Sequence, residues 1–128
     1  MIGNTLKKIL VVDDEPISLK LLIDHLEEAG FQIEQANDGQ EALTKLQKHP
    51  NNFSVIVLDR IMPYMGGMEL LNIIKQTDQL CNIPIIMLTG LDEKEDIIDA
   101  VKAGVFDYLT KPVEKELLLK MVHRALTE

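Results

Sequence analysis

Five short apolar runs, each too brief for a helix and separated by stretches long enough to hold one, govern what this 128-residue chain can become. They are Ile9-Leu10-Val11-Val12, Ile33-Glu34-Gln35-Ala36, Val55-Ile56-Val57-Leu58, Ile85-Ile86-Met87-Leu88 and Val105-Phe106-Asp107-Tyr108-Leu109. Four of the five are almost wholly apolar rather than alternating, as strands are when both faces of a parallel sheet are covered. The second carries Glu34 and Gln35 and belongs at or near an edge. The runs begin 20 to 30 residues apart, so each interval holds one crossover helix with its loops.

The intervals have helical period. Leu19, Leu22, Ile23, Leu26 and Ala29 share one face, and Gly30 stops that helix. Asp38, with Glu41 three residues on, reads as a capping box opening a helix through Ala42, Leu43 and Leu46, which His49-Pro50 closes. Met68, Leu70, Leu71 and Ile74 mark a third helix after Gly66-Gly67. Ile97, Ile98 and Val101 mark a fourth, ended by Gly104, and Leu117, Leu118, Met121, Val122, Ala125 and Leu126 a fifth. The reading is one (βα)5 domain over residues 1–128, a doubly wound parallel sheet in three layers, α/β/α.

Charge and cysteine content remove several function classes. Thirteen Lys and Arg stand against 21 Asp and Glu, a net charge of -8, which argues against nucleic-acid or anionic-membrane binding. Cys81 is the single cysteine, read as a buried free thiol, so neither an internal disulfide nor a Cys-rich metal site can form. The opening octapeptide lacks a signal peptide's apolar stretch, and no run approaches the ~20 residues of a membrane helix, so the expectation is a cytoplasmic protein. His25, His49 and His123 read as surface residues of helices or helix ends.

The polar residues fall at telling places. The first run leads into Asp13-Asp14-Glu15, the third ends in Asp59, the fourth in Thr89, and Lys111 follows the fifth. Alone, each has an ordinary reading: a helix cap, the start of a turn toward Pro63, a satisfied hydroxyl, a strand exit before Pro112. With strand order 2-1-3-4-5, however, Asp13, Asp14, Asp59, Thr89 and Lys111 converge beyond the carboxyl ends of the strands, where open α/β sheets bind ligands. Crowded carboxylates repel one another and resist desolvation, so a cation must offset them. Lys111 supplies one charge and a divalent metal the rest. An all-oxygen site suits a hard cation, Mg²⁺ before Ca²⁺. A carboxylate beside a metal, a hydroxyl and an ammonium group suits transfer of a phosphoryl group to an Asp.

Four motifs then carry a resemblance: Val11-Val12-Asp13-Asp14-Glu15-Pro16, Leu58-Asp59-Arg60-Ile61-Met62-Pro63, Met87-Leu88-Thr89-Gly90 and Asp107-Tyr108-Leu109-Thr110-Lys111-Pro112. Together, in order and at matching spacing, they resemble the receiver domains of two-component response regulators, in the single-domain, chemotaxis-regulator style. The resemblance implies a flavodoxin-like sheet with Asp59 as phosphoacceptor, taking its phosphoryl group from a sensor histidine kinase or histidine phosphotransfer protein. It further implies Mg²⁺ on Asp14, Asp59 and the backbone carbonyl of Ile61, with Asp13 acting largely through water. Lys111 and Thr89 would hold phosphoryl oxygens. Thr89 and Tyr108 would switch the face of helix four, strand five and helix five toward a downstream effector, a fused output domain or a second copy. The Lys111-Pro112 bond is usually cis in this family.

Such a protein is a regulator that catalyses only its own phosphorylation and dephosphorylation. Gly66 departs from an acidic residue common in the family and Gly90 from an alanine, while Ile61 and Leu91 put apolar groups beside the path of hydrolytic water, which predicts slow self-dephosphorylation. Two other readings stay open at this point: a Mg²⁺-dependent phosphatase using an aspartyl phosphate, and an interaction module that is never phosphorylated.

Overall fold

Apolar residues on both faces of a strand need cover from both sides, and the chain supplies it with five helices. The computed structural model describes residues 7–90 and 94–128, with backbone alone at 94–96. The expectations placed on Leu91 and on the first six residues lie outside them. The order is β1 (Lys8–Val12), α1 (Pro16–Glu28), β2 (Ile33–Ala36), α2 (Gly39–Lys48), β3 (Phe53–Asp59), α3 (Gly67–Lys75), β4 (Ile85–Thr89), α4 (Lys94–Ala103), β5 (Asp107–Thr110) and α5 (Lys115–Thr127). The strands are parallel and lie in the order β2-β1-β3-β4-β5, the doubly wound flavodoxin-like arrangement. The polar strand β2 takes an edge, as its Glu34 and Gln35 require.

Strand residues alternate between two cores. Leu10, Val12, Ile56, Leu58, Ile85 and Met87 point to the side packed by α2, α3 and α4. Ile9, Val11, Val55, Val57, Ile86 and Leu88 point to the side packed by α1 and α5. Buried aliphatic side chains of this kind contribute about 1.5–3 kcal/mol each, so the two cores are the main source of stability. No helix among the described residues is long and apolar enough to cross a membrane.

Local signals account for most boundaries. Pro16 sits in the first turn of α1, where a missing N–H costs nothing. Gly30 follows the helix with φ +95°, a conformation that favours glycine. Asp38 caps α2 by accepting from the Glu41 N–H at 2.8 Å, and the Glu41 carboxylate in turn accepts from the Asn37 N–H at 2.7 Å.

Four expectations need correction. β5 starts at Asp107 rather than Val105, because the N–H of Val105 closes the end of α4 on Ala100 and only the Phe106 N–H reaches Ile85 on β4. Among the described side chains of α4, Ala100 is buried, whereas Ile98 and Val101 are 52% and 57% exposed, so that part of the apolar stripe looks outward. Leu117 and Leu126 of α5 and Ala29 after α1 are likewise exposed. Cys81 is only half-buried, its Sγ near the carbonyl of Asp78 in the short turn that leads to β4.

Candidate functional site

β1, β3, β4 and β5 are consecutive neighbours in the sheet, and each hands the chain to a polar residue at its carboxyl end. Asp13 follows β1, with its N–H on the Ala36 carbonyl at 3.2 Å. Asp59 ends β3 and Thr89 ends β4. Lys111 follows β5, with its N–H on the Thr89 carbonyl at 2.8 Å. Ladder bonds thus run to the rim of the sheet and fix where these side chains start.

Asp13, Asp14 and Asp59 bring carboxylate oxygens within 4.8 Å of one another. Asp13 is fully buried, Asp59 is 5% exposed, and Asp14 faces solvent. Asp13 accepts from the Glu15 N–H at 3.0 Å, from Ser18 Oγ at 2.5 Å and from Lys111 Nζ at 3.1 Å. Lys111 Nζ also lies 3.3 Å from Asp59 and 3.6 Å from Glu15. Asp14, Asp59, Ile61, Thr89, Gly90 and Lys111 line a cleft of about 370 Å³. The Thr89 side chain is 2% exposed, and its Oγ1 has no hydrogen-bond partner among the described residues.

Electrostatics follow from this crowding. Burial, and then the neighbouring Asp13 charge, push the Asp59 carboxyl up to about 6, against the opposing pull of Lys111. Burial works to lower the Lys111 ammonium, but Asp59 and Asp13 outweigh it and hold its pKa above the ordinary value. One lysine among four acids leaves the pocket electron-rich. Three carboxylates with no soft donor fit Mg²⁺, and the cation deficit is the physical reason for it to bind.

Asp13, Asp14, Asp59, Thr89, Lys111 and Ile61 therefore meet in one place. Tyr108 does not line the cleft; it is half-buried one strand away, packed against the core that contains Met87 and Ala100. The Lys111-Pro112 bond is cis. Gly66 has room for a side chain, since a Cβ there meets only the Arg60 carbonyl at 3.6 Å. Ser18 is a partner of Asp13 that the strand-end pattern does not point to; its signal is its place in the first turn of α1, five residues after Asp13. His25 is half-buried rather than fully exposed: it lines a surface groove beside the loop after Lys111, and its Nδ1 is buried without a partner among the described residues.

A family model of the response regulator receiver domain matches residues 9–123, and the chain belongs to that family. Receiver domains are phosphorylation-dependent switches of two-component signalling; in general they are not enzymes, and they pair with histidine kinases and output effectors. The chain is 34% identical to chemotaxis protein CheY of Pseudomonas aeruginosa over 118 residues, covering 91% of this chain and 94% of CheY. It is 42% identical over 106 residues to the alkaline phosphatase synthesis transcriptional regulatory protein PhoP of Bacillus subtilis, covering 83% of this chain but only 42% of PhoP. A crystal structure of a putative response regulator from Chloroflexus aurantiacus superposes with a TM-score of 0.90 at 30% identity, covering 95% of this chain and 98% of that one.

Proposed function

We propose that Asp59 is the phosphoacceptor of a cytoplasmic signalling switch acting through the whole chain, 1–128. The observation that carries this reading is the Asp59 carboxylate, buried at the end of the central strand, beside two further aspartates and the Lys111 ammonium. Asp14, Asp59 and the Ile61 carbonyl would hold Mg²⁺, with Asp13 acting through water; the metal neutralises phosphoryl oxygens when bound. An oxygen of Asp59 attacks the phosphorus of a phosphohistidine on a sensor kinase or phosphotransfer protein. The N–P bond breaks, and its electron pair returns to the imidazole. Phosphoryl transfer of this kind depends on in-line positioning and charge neutralisation more than on proton transfer. Lys111 pairs one phosphoryl oxygen and the Thr89 hydroxyl donates to another, which gives that buried hydroxyl a partner that none of the described residues supplies.

Thr89 then moves toward the phosphoryl group, Tyr108 turns into the space it leaves, and the α4-β5-α5 face changes. Exposed Ile98, Val101 and Leu117 give that face an apolar patch for an effector, a fused output domain or a second copy. Ile61, 61% exposed beside Asp59, offers no polar group to a hydrolytic water, which supports slow self-dephosphorylation. Ile61→Glu should shorten the phosphoryl lifetime, and a wild-type lifetime of only seconds in Mg²⁺ would count against the idea.

The deciding experiment is incubation with acetyl phosphate or phosphoramidate and Mg²⁺, followed by intact mass. One phosphoryl group per chain is expected, absent in Asp59→Asn and after chelation. Catalytic turnover of a phosphate ester would favour a phosphatase instead, and no gain in mass would leave an unphosphorylated interaction module.

A further inference from the structure

Between Asp59 and α3 the chain makes a tight loop, held on two sides by glycines whose side-chain space is taken up by backbone at Gly67 and by the Met65 carbonyl and side-chain stem at Gly39. A Cβ at Gly67 would lie 2.5 Å from the Asp59 carbonyl and 2.7 Å from Arg60 Cα. A Cβ at Gly39, in the first turn of α2, would lie 2.7 Å from the Met65 carbonyl and 2.9 Å from both Met65 Cβ and Cγ. The second contact belongs to a different element from the one that carries Asp59, and nothing in the proposed phosphotransfer uses it.

The contact has little slack. The first turn of α2 cannot retreat easily, because Asp38 caps it and the N–H of Ala42 closes on the Asp38 carbonyl at 3.1 Å. At the far end of the loop the Gly67 N–H is bound to the Arg60 carbonyl at 2.8 Å. Between these anchors Tyr64 has φ +66° and is 97% exposed, so the loop contains a backbone conformation that a bulky side chain rarely adopts and that its own side chain does nothing to hold. Ile61 is also turned to solvent. Met62 and Met65 pack into the same core as Ala42, Leu43 and Leu46 of α2. The spacing between α2 and the loop is thus set at Gly39, and the Ile61 carbonyl rides on that loop.

Resting on the phosphoacceptor reading above, we infer that Gly39 is a positioning residue for the Mg²⁺ site: by letting Met65, carbonyl and side-chain stem alike, seat directly on α2, it places the Ile61 carbonyl beside Asp14 and Asp59. Groups that orient ligands without touching the metal typically change affinity 10- to 100-fold when altered.

The test is calorimetric titration of MgCl₂ into the intact protein, with thermal midpoints and backbone amide shifts of the metal-free state. Gly39→Ala should weaken Mg²⁺ binding by about tenfold, with its largest metal-free shift changes at residues 60–66. Gly30→Ala is the control: its φ of +95° makes it destabilising, and no atom lies within 4 Å of the added Cβ, so its midpoint should fall while Mg²⁺ affinity holds. Adding Met65→Ala to Gly39→Ala should give less loss than the two single losses multiplied together, because two atoms on the same contact are coupled. Unchanged affinity in Gly39→Ala, or a loss no greater than in Gly30→Ala, overturns the positioning role. Should Gly39→Ala not fold, Met65→Ala alone decides, weaker Mg²⁺ binding supporting the role and unchanged binding overturning it. A wild-type protein that neither binds Mg²⁺ nor gains mass from acetyl phosphate removes the phosphoacceptor reading, and this inference with it. Normal wild-type behaviour beside an unaffected Gly39→Ala sinks the inference alone.

Discussion

Two buried polar atoms at the cleft hold free energy in reserve. Thr89 Oγ1 is buried with no hydrogen-bond partner among the described residues, and a buried unsatisfied hydroxyl costs about 1–3 kcal/mol. Thr89→Val, nearly the same shape, should therefore raise the metal-free urea midpoint while slowing acetyl phosphate labelling. Asp59 makes the same point with charge. Its carboxyl titrates near 6 in the fold against 3.8 ordinarily, so between those values the native state binds the extra proton. Its neutral form is fully present below pH 3.8, and stability falls as pH climbs through 6. Asp59→Asn removes that dependence. At pH 7.5 without metal it should be more stable than wild type by an amount on the order of 1–3 kcal/mol, with the gap closing toward pH 4. A wild-type protein that gains stability between pH 4 and 7 relative to Asp59→Asn would contradict this.

Among the elements, α2 and the loop after β3 separate stability from chemistry. Asp38→Ala removes a side-chain cap worth about 1 kcal/mol and should lower the unfolding free energy read by urea denaturation by that amount, with little effect on labelling rate. Gly67→Ala drives a Cβ into the Asp59 carbonyl, and should reduce both stability and labelling. Most elements were legible because their signals are local: β2 announces its edge with Glu34 and Gln35, and α2 announces its start with Asp38 and Glu41. The facing of α4 is not readable from the sequence, since Ile97, Ile98 and Val101 have helical spacing whether they face the core or solvent. β5 begins later than its apolar run because Val105 looks like strand while its N–H closes α4 on Ala100, and only the Phe106 N–H reaches β4 before the ladder proper. The convergence of Asp13, Asp14, Asp59, Thr89 and Lys111 is readable from strand-end residues alone. Ser18 behind Asp13, the buried Nδ1 of His25 and the Gly39–Met65 approach are not, because each depends on how two elements pack.

For the whole molecule, net charge and metal act together. A chain at -8 that concentrates Asp13, Asp14, Asp59 and Glu15 at one end of its sheet gains from any divalent cation bound there. Mg²⁺ at a hundred times its dissociation constant should add about 2.7 kcal/mol to unfolding free energy. That gain should shrink markedly in Asp14→Asn, as read by urea denaturation with and without metal. The strand that ends in Asp59 has a further consequence. β3 is the middle of five, and its residues belong in turn to both cores: Ile56 and Leu58 to one, Val55 and Val57 to the other. A covalent group added at its tip therefore pulls on the seam where two independently packed halves share one backbone, and altered hydrogen exchange should reach α1 and α5 as well as α3 and α4.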